Sequence, residues 1–111
     1  MTVQLDENKI QKLIEEQEKI LNDNTQKSKQ MFESADHLSN GVASAYQARD
    51  PWPIYIDRGS GAKIWDVDGN EYYDFHNGYG SMVQGHGHPA IGKALAERWP
   101  KGSHFGAATE D

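Results

Sequence analysis

The stretch Asp66-Val67-Asp68-Gly69-Asn70-Glu71-Tyr72-Tyr73-Asp74-Phe75 and, after His76, the glycine-rich run Asn77-Gly78-Tyr79-Gly80-Ser81-Met82-Val83-Gln84-Gly85-His86-Gly87-His88-Pro89 decide how this chain reads. Asp68-Gly69 between two alternating segments signals a tight β-hairpin, because both central residues of a type I′ turn need positive φ and these two residue types tolerate it. The glycines beyond it predict a flexible loop whose backbone comes close to something and which carries an aromatic ring, Tyr79, to the start of a helix.

Upstream of the hairpin the period is also two. Ile54-Tyr55-Ile56, a turn at Gly59-Ser60-Gly61, Ala62 to Val67, the Asp68-Gly69 turn and Asn70 to Phe75 give a three-stranded antiparallel meander. Trp65, Val67, Tyr73 and Phe75 on alternating positions predict a buried aromatic face. Downstream, Pro89 at a first helical position, then Ile91, Ala94, Leu95 and Trp99 with Pro100 as a stop, mark a covering helix.

The N-terminal third has helical periodicity instead. Asp6 reads as an N-cap with Glu7 favourable to the helix dipole, and Ile10, Leu13, Ile14, Ile20 and Leu21 form a narrow apolar stripe. Asn22-Asp23-Asn24 interrupts it before a second helical segment from about Thr25 to Leu38, closed by Ser39-Asn40-Gly41 with Asn40 or Gly41 in a left-handed cap. Pro51 and Pro53 around Trp52 push their predecessors toward extended geometry, which predicts a strap. The expected organisation is a helical arm (1–38), an extended connector (39–53) and an α+β segment (54–111) of meander, loop and helix. Thr109-Glu110-Asp111 does not read as a domain terminus.

Composition narrows the function. A chain of 111 residues, 36% hydrophobic, with a mean hydropathy of -0.85, is lean for a free-standing globule. Its charge of -6 is spread evenly, with six Lys+Arg against nine Asp+Glu in residues 1–50 and five against eight thereafter. No basic patch suits a nucleic acid or an anionic membrane. Without cysteine there is no disulfide framework and no thiolate metal site. Met1 to Glu7 lacks a basic region followed by an apolar core, so the default location is the cytoplasm.

His86-Gly87-His88 invites a metal reading, but a zinc site needs a third ligand and His37, His76 and His104 are scattered. No metal is expected: His88 caps the helix at Pro89 and His86 hydrogen-bonds within the loop. Gly80 to His86 has the glycine spacing of a P-loop but lacks its lysine and the following Ser or Thr, and no third glycine completes a dinucleotide fingerprint. Asp66, Asp68, Glu71 and Asp74 lie on a hairpin, where turn-forming and solvent-facing roles suffice. Tyr79 between two glycines suits either a core position or the wall of a small-molecule pocket.

From Ala48 to Thr109 the chain resembles the N-terminal region of the class-III aminotransferases that use pyridoxal phosphate, most closely the glutamate-1-semialdehyde aminomutase and β-amino-acid transaminase branch. The resemblance is carried by Arg49-Asp50-Pro51, Pro53-Ile54-Tyr55-Ile56, Gly61-Ala62, Trp65 to Asn70, Tyr73-Asp74-Phe75, Gly85-His86-Gly87-His88-Pro89, His104-Phe105-Gly106-Ala107 and Thr109-Glu110, in that order. It implies that residues 54–111 begin an aminotransferase domain of the larger α/β fold-type-I architecture. Tyr79, with Gly78 and Gly80, would line the substrate side of the cofactor pocket.

Aligning Ser39-Asn40-Gly41-Val42 with the aminomutases' Pro-Gly-Gly-Val places Gln47 at their substrate-carboxylate arginine. Arg49, two residues on, stands as in the β-amino-acid transaminases, and glutamine cannot reproduce an arginine fork. The Schiff-base lysine, the phosphate loop and the acidic partner of the pyridine nitrogen would belong to later sequence, and Lys93 and Lys101 match no such motif. The resemblance thus implies an incomplete enzyme with no catalytic residue in this chain. The parent would bind pyridoxal 5'-phosphate, act on an amino acid or amine and form a homodimer. The alternative is a small non-catalytic protein-interaction module with a helical arm.

Overall fold

The computed structural model describes residues 6–102 and 105–108. Expectations that fall on Met1 to Leu5, on His104 and on Thr109 to Asp111 lie outside the described residues. The elements are α1 (Glu7–Asn24), α2 (Gln26–Ser34), β1 (Ile56–Ser60), β2 (Lys63–Asp66), β3 (Glu71–Tyr73) and α3 (Pro89–Arg98), with single 3-10 turns at Ser39–Gly41, Ala45–Gln47 and Trp99–Lys101. The strands form one antiparallel sheet in the order β1-β2-β3. The chain divides into two compact units, one of the residues up to Asp57 with Trp65–Glu71, the other of Arg58–Ile64 with the residues from Tyr72 on.

In the first unit Asp6 caps α1 as its residue type requires, its carboxylate accepting the N–H of Lys9 at 3.1 Å. The helix runs through Asn22-Asp23 and ends at Asn24. There Asn24 Nδ2 and Thr25 Oγ1 donate to the carbonyls of Ile20 and Leu21, at 2.9 and 2.6 Å, which helix closure would otherwise orphan. α2 stops at Ser34, four residues short of Leu38, because Ala35 leaves helical geometry at ψ 51°.

Thr25 supplies no side-chain cap to α2. That role falls to Asp68 of the hairpin, whose two carboxylate oxygens accept the N–H groups of Lys27 (2.7 Å) and Ser28 (3.0 Å). Around this contact Trp52 donates its indole N–H to Thr25 Oγ1 (3.0 Å), and the buried Ser28 Oγ accepts the N–H of Tyr55 (3.3 Å). Asn40 and Gly41 both take positive φ, but in a separate 3-10 turn and not as the cap of α2, and Gly41 is buried where a Cβ would meet the Phe32 ring at 2.6 Å. The connector is less extended than its prolines suggest, since both early 3-10 turns lie in it or at its start.

The hairpin turn differs from a type I′ turn, because only Gly69 has positive φ, +94°. Gly69 N–H bonds Asp66 O at 3.0 Å and Asp66 N–H bonds Asn70 O at 3.1 Å, which makes a three-residue loop ending in a left-handed glycine. Asp66 is the reason. Its carboxylate, 1% exposed, accepts from the N–H groups of Asp68 and Asn70 and from Asn70 Nδ2, so it is turn-forming but not solvent-facing.

The strands are shorter and displaced. β1 keeps only Ile56 of the expected first strand, and Gly59 and Ser60 belong to it instead of to a turn. The aromatic face is not buried: Trp65 and Val67 are half-buried, Tyr73 is exposed and Phe75 is 96% exposed. Among the described residues no apolar side chain is fully buried. In the second unit His88 caps α3 through Nδ1, which accepts the N–H of Ala90 at 3.3 Å, and Pro89 occupies the first turn. Ile91, Leu95 and Trp99 are exposed.

Candidate active-site loop

The second unit holds the glycine-rich loop, and its backbone is unusual. Asn77, Gly78, Tyr79 and Gly80 have φ of 53°, 55°, 58° and 81°, four consecutive residues in the left-handed region. Glycine takes this region freely and asparagine tolerates it, but at Tyr79 it costs roughly 1–2 kcal/mol. The turn leaves Tyr79 71% exposed. Its ring meets that of His76 edge-on, with centroids 4.2 Å apart and planes at 78°.

The loop is not slack. Asp74 Oδ1 accepts the N–H groups of His76 and Asn77, both at 2.9 Å, and Oδ2 lies 2.7 Å from His86 Nε2. His76 Nδ1 accepts the N–H of Tyr79 at 3.3 Å, and Met82 N–H bonds Asn77 O at 3.1 Å. His86 is fastened in turn, its N–H and C=O pairing with Gly61 O (2.8 Å) and N–H (2.9 Å). Here the glycines serve close approach. A Cβ on Gly85 would stand 2.8 Å from Gly61 O, and one on Gly59 would stand 2.6 Å from His86 Cγ. The His86 hydrogen bond, followed by the Asn77 N–H, holds the Asp74 carboxyl below its ordinary 3.8. Asp74, only 10% exposed, is therefore another carboxylate that does not face solvent.

Asp74, Phe75, Asn77, Met82, Gln84 and His86 line a cavity of about 500 Å³ with neighbouring loop residues; Tyr79 stands outside it. No local signal marks the Asp74–His86 pair, since the partners are twelve residues apart and meet only when the loop returns to Gly61. His86 and His88 take the hydrogen-bonding and capping roles expected of them. Among the described residues no three His, Asp or Glu side chains group as metal ligands.

The other expected site residues belong to the first unit. Gln47 and Arg49 share a cavity of about 630 Å³ with Leu38, Gly41, Val42 and Tyr55 among its walls. Arg49 Nη1 donates to the carbonyls of Tyr46 (2.9 Å) and Ala48 (2.6 Å). The expected site residues thus fall into two groups, Gln47 with Arg49 and Gly78–Tyr79–Gly80, one in each unit.

Residues 44–111 match the family model described as aminotransferase class-III. Glutamate-1-semialdehyde 2,1-aminomutase of Methanosarcina acetivorans is 46% identical over 85 residues, covering 76% of this chain and 20% of the relative. A solved glutamate-1-semialdehyde aminomutase of Pseudomonas aeruginosa superposes with a TM-score of 0.78 at 25% identity, over 96% of this chain and 24% of that one. A solved transaminase with PLP bound gives a TM-score of 0.67 at 34% identity, over 78% and 20%.

The chain belongs to the class-III aminotransferases. It spans about a fifth of the length of the curated relatives it matches.

The residues present do not make up a pyridoxal-phosphate site. Such a site needs a lysine in a shielded pocket to form the Schiff base. Lys93 is exposed and faces Glu97 at 3.8 Å, Lys101 is exposed, and the half-buried Lys29 and Lys63 lie over the rings of Trp52 and Tyr73. None of the four lines the loop cavity or that of Arg49.

Proposed function

We propose that this chain is the N-terminal, substrate-facing part of a pyridoxal-phosphate enzyme that transfers an amino group from an amino acid or amine to a keto acid, or moves it within one molecule. The cofactor and its lysine are supplied by the rest of that enzyme, a homodimer of the cytoplasm with no nucleic-acid or membrane partner. Residues 1–38 are its arm, 39–53 the connector and 54–111 the start of the catalytic domain. Among the described residues no helix is long and apolar enough to cross a membrane.

The observation that carries this reading is Tyr79, held out by a strained turn and 71% exposed. Backbone strain of this kind persists where a function needs the geometry. Tyr79 forms the wall of the substrate pocket with Gly78 and Gly80 beside it. Arg49 takes the substrate carboxylate, with Gln47 next to it. Its two hydrogen bonds to the protein use Nη1, so Nη2 and Nε are the pair a carboxylate can engage side-on.

The test is steady-state kinetics and melting on Tyr79 variants of the full-length enzyme. Tyr79→Ala is expected to lower kcat/KM by about 5- to 150-fold, as loss of 1–3 kcal/mol at a polar contact does, with little change in melting temperature. Tyr79→Phe separates the ring from the hydroxyl. A stability loss of roughly 3–5 kcal/mol with unchanged kinetics would place Tyr79 in the core instead.

A further inference from the structure

We propose that Asp74 and His86 are positioning residues: their hydrogen-bonded pair clamps the left-handed turn Asn77–Gly80 and fixes the direction of the Tyr79 ring. A tyrosine does not keep positive φ unless its surroundings over-determine it, and the constraint can be followed atom by atom. His86 is tied to the sheet end by both backbone bonds to Gly61, and its ring lies where a side chain on Gly59 would have to be. Its Nε2 meets Asp74 Oδ2 at 2.7 Å. The other oxygen of that carboxylate takes the two amide protons that open the turn, those of His76 and Asn77. His76, so placed, accepts the Tyr79 N–H and packs its ring edge-on against the tyrosine. A single carboxylate thus links the anchored return of the loop to the residues that set the ring. The bonds from Ser81 and Met82 to Gly78 O and Asn77 O close the turn from its far side but reach no strand.

The use of this clamp in catalysis rests on the reading of Tyr79 as a pocket wall; the clamp itself can be tested without it. The experiment is NMR on the full-length enzyme, selectively labelled at histidine, asparagine and tyrosine. Positive φ brings an amide proton close to its own Hα, so Asn77 and Tyr79 are expected to give intense intraresidue cross-peaks, together with cross-peaks between the His76 and Tyr79 rings. His86→Phe keeps a ring over Gly59 but removes the donor. It is expected to abolish both sets of peaks and to speed exchange of the His76 and Asn77 amides about tenfold or more. Asp74→Ala is expected to do the same. His86→Gln, whose amide can again donate to Asp74, is expected to restore the peaks.

Absence of the peaks from the unmodified enzyme, their survival in His86→Phe, or failure of His86→Gln to restore them overturns the proposal. So does an Asp74→Ala enzyme that keeps them. Should Tyr79→Ala leave the kinetics of the full-length enzyme unchanged while the peaks behave as expected, the pocket reading falls and the clamp stands.

Discussion

Glycines that look alike in the sequence differ in what surrounds them. Gly85 combines φ of +77° with Gly61 backbone atoms 2.8–2.9 Å from a would-be Cβ, whereas Gly61 has φ of +56° and open space. Gly85→Ala is expected to cost on the order of 3 kcal/mol, from strain plus a backbone clash, and Gly61→Ala only about 1 kcal/mol from strain. Thermal midpoints of the two variants of the full-length enzyme check the order. Asp74 carries a pH signature. Its carboxyl is held below 3.8, so the stabilisation it gives is complete above the unfolded value and is lost as pH falls through the lower, folded one. The Asp74 13Cγ titration should have its midpoint below 3.8. At this scale the sequence pointed to Tyr79 by its glycine neighbours. It could not show Asp74 with His86, because a contact made by a returning loop leaves no periodic trace.

Elements were legible where their signal is local. Asp6 and Pro89 mark helix starts through chemistry that acts within one turn, and both helices begin where those residues place them. α2 begins at Gln26, within one residue of the expected start, but its first amides are capped by Asp68, some forty residues away, which no local signal shows. Asp68→Ala should therefore cost about 1–2 kcal/mol and speed amide exchange at Lys27 and Ser28, while Asp68→Asn, which keeps one acceptor, should cost less. Unchanged exchange in Asp68→Ala would show that the contact contributes nothing to α2. Strand limits drifted because period-two patterning continues past the residues that pair. Gly59 belongs to β1, since the His86 ring needs the space a side chain would fill. The type I′ reading failed because Asp66 draws the backbone into its own carboxylate, which a dipeptide signal does not include.

For the molecule as a whole, the apolar side chains of α1 other than the half-buried Leu21, and those of α3, with Phe75 and Val83, are exposed, and none is fully buried among the described residues. Three strands with one helix do not close a core by themselves. The isolated chain is expected to melt over a broad range without a sharp calorimetric peak and to bind a hydrophobic dye, and α1 should show little amide protection. A sharp, cooperative transition would favour the self-sufficient interaction module. Sequence by itself determined the kinds and order of the elements, the caps encoded next to the helices they start and the family, because these depend on neighbouring residues or on a long ordered series of motifs. Only the tertiary structure decided the hairpin's turn, the Asp68 cap, the Asp74–His86 pair and the left-handed turn under Tyr79. Each depends on atoms far apart in the chain, and their approach is set by packing and hydrogen-bond satisfaction, not by any local preference.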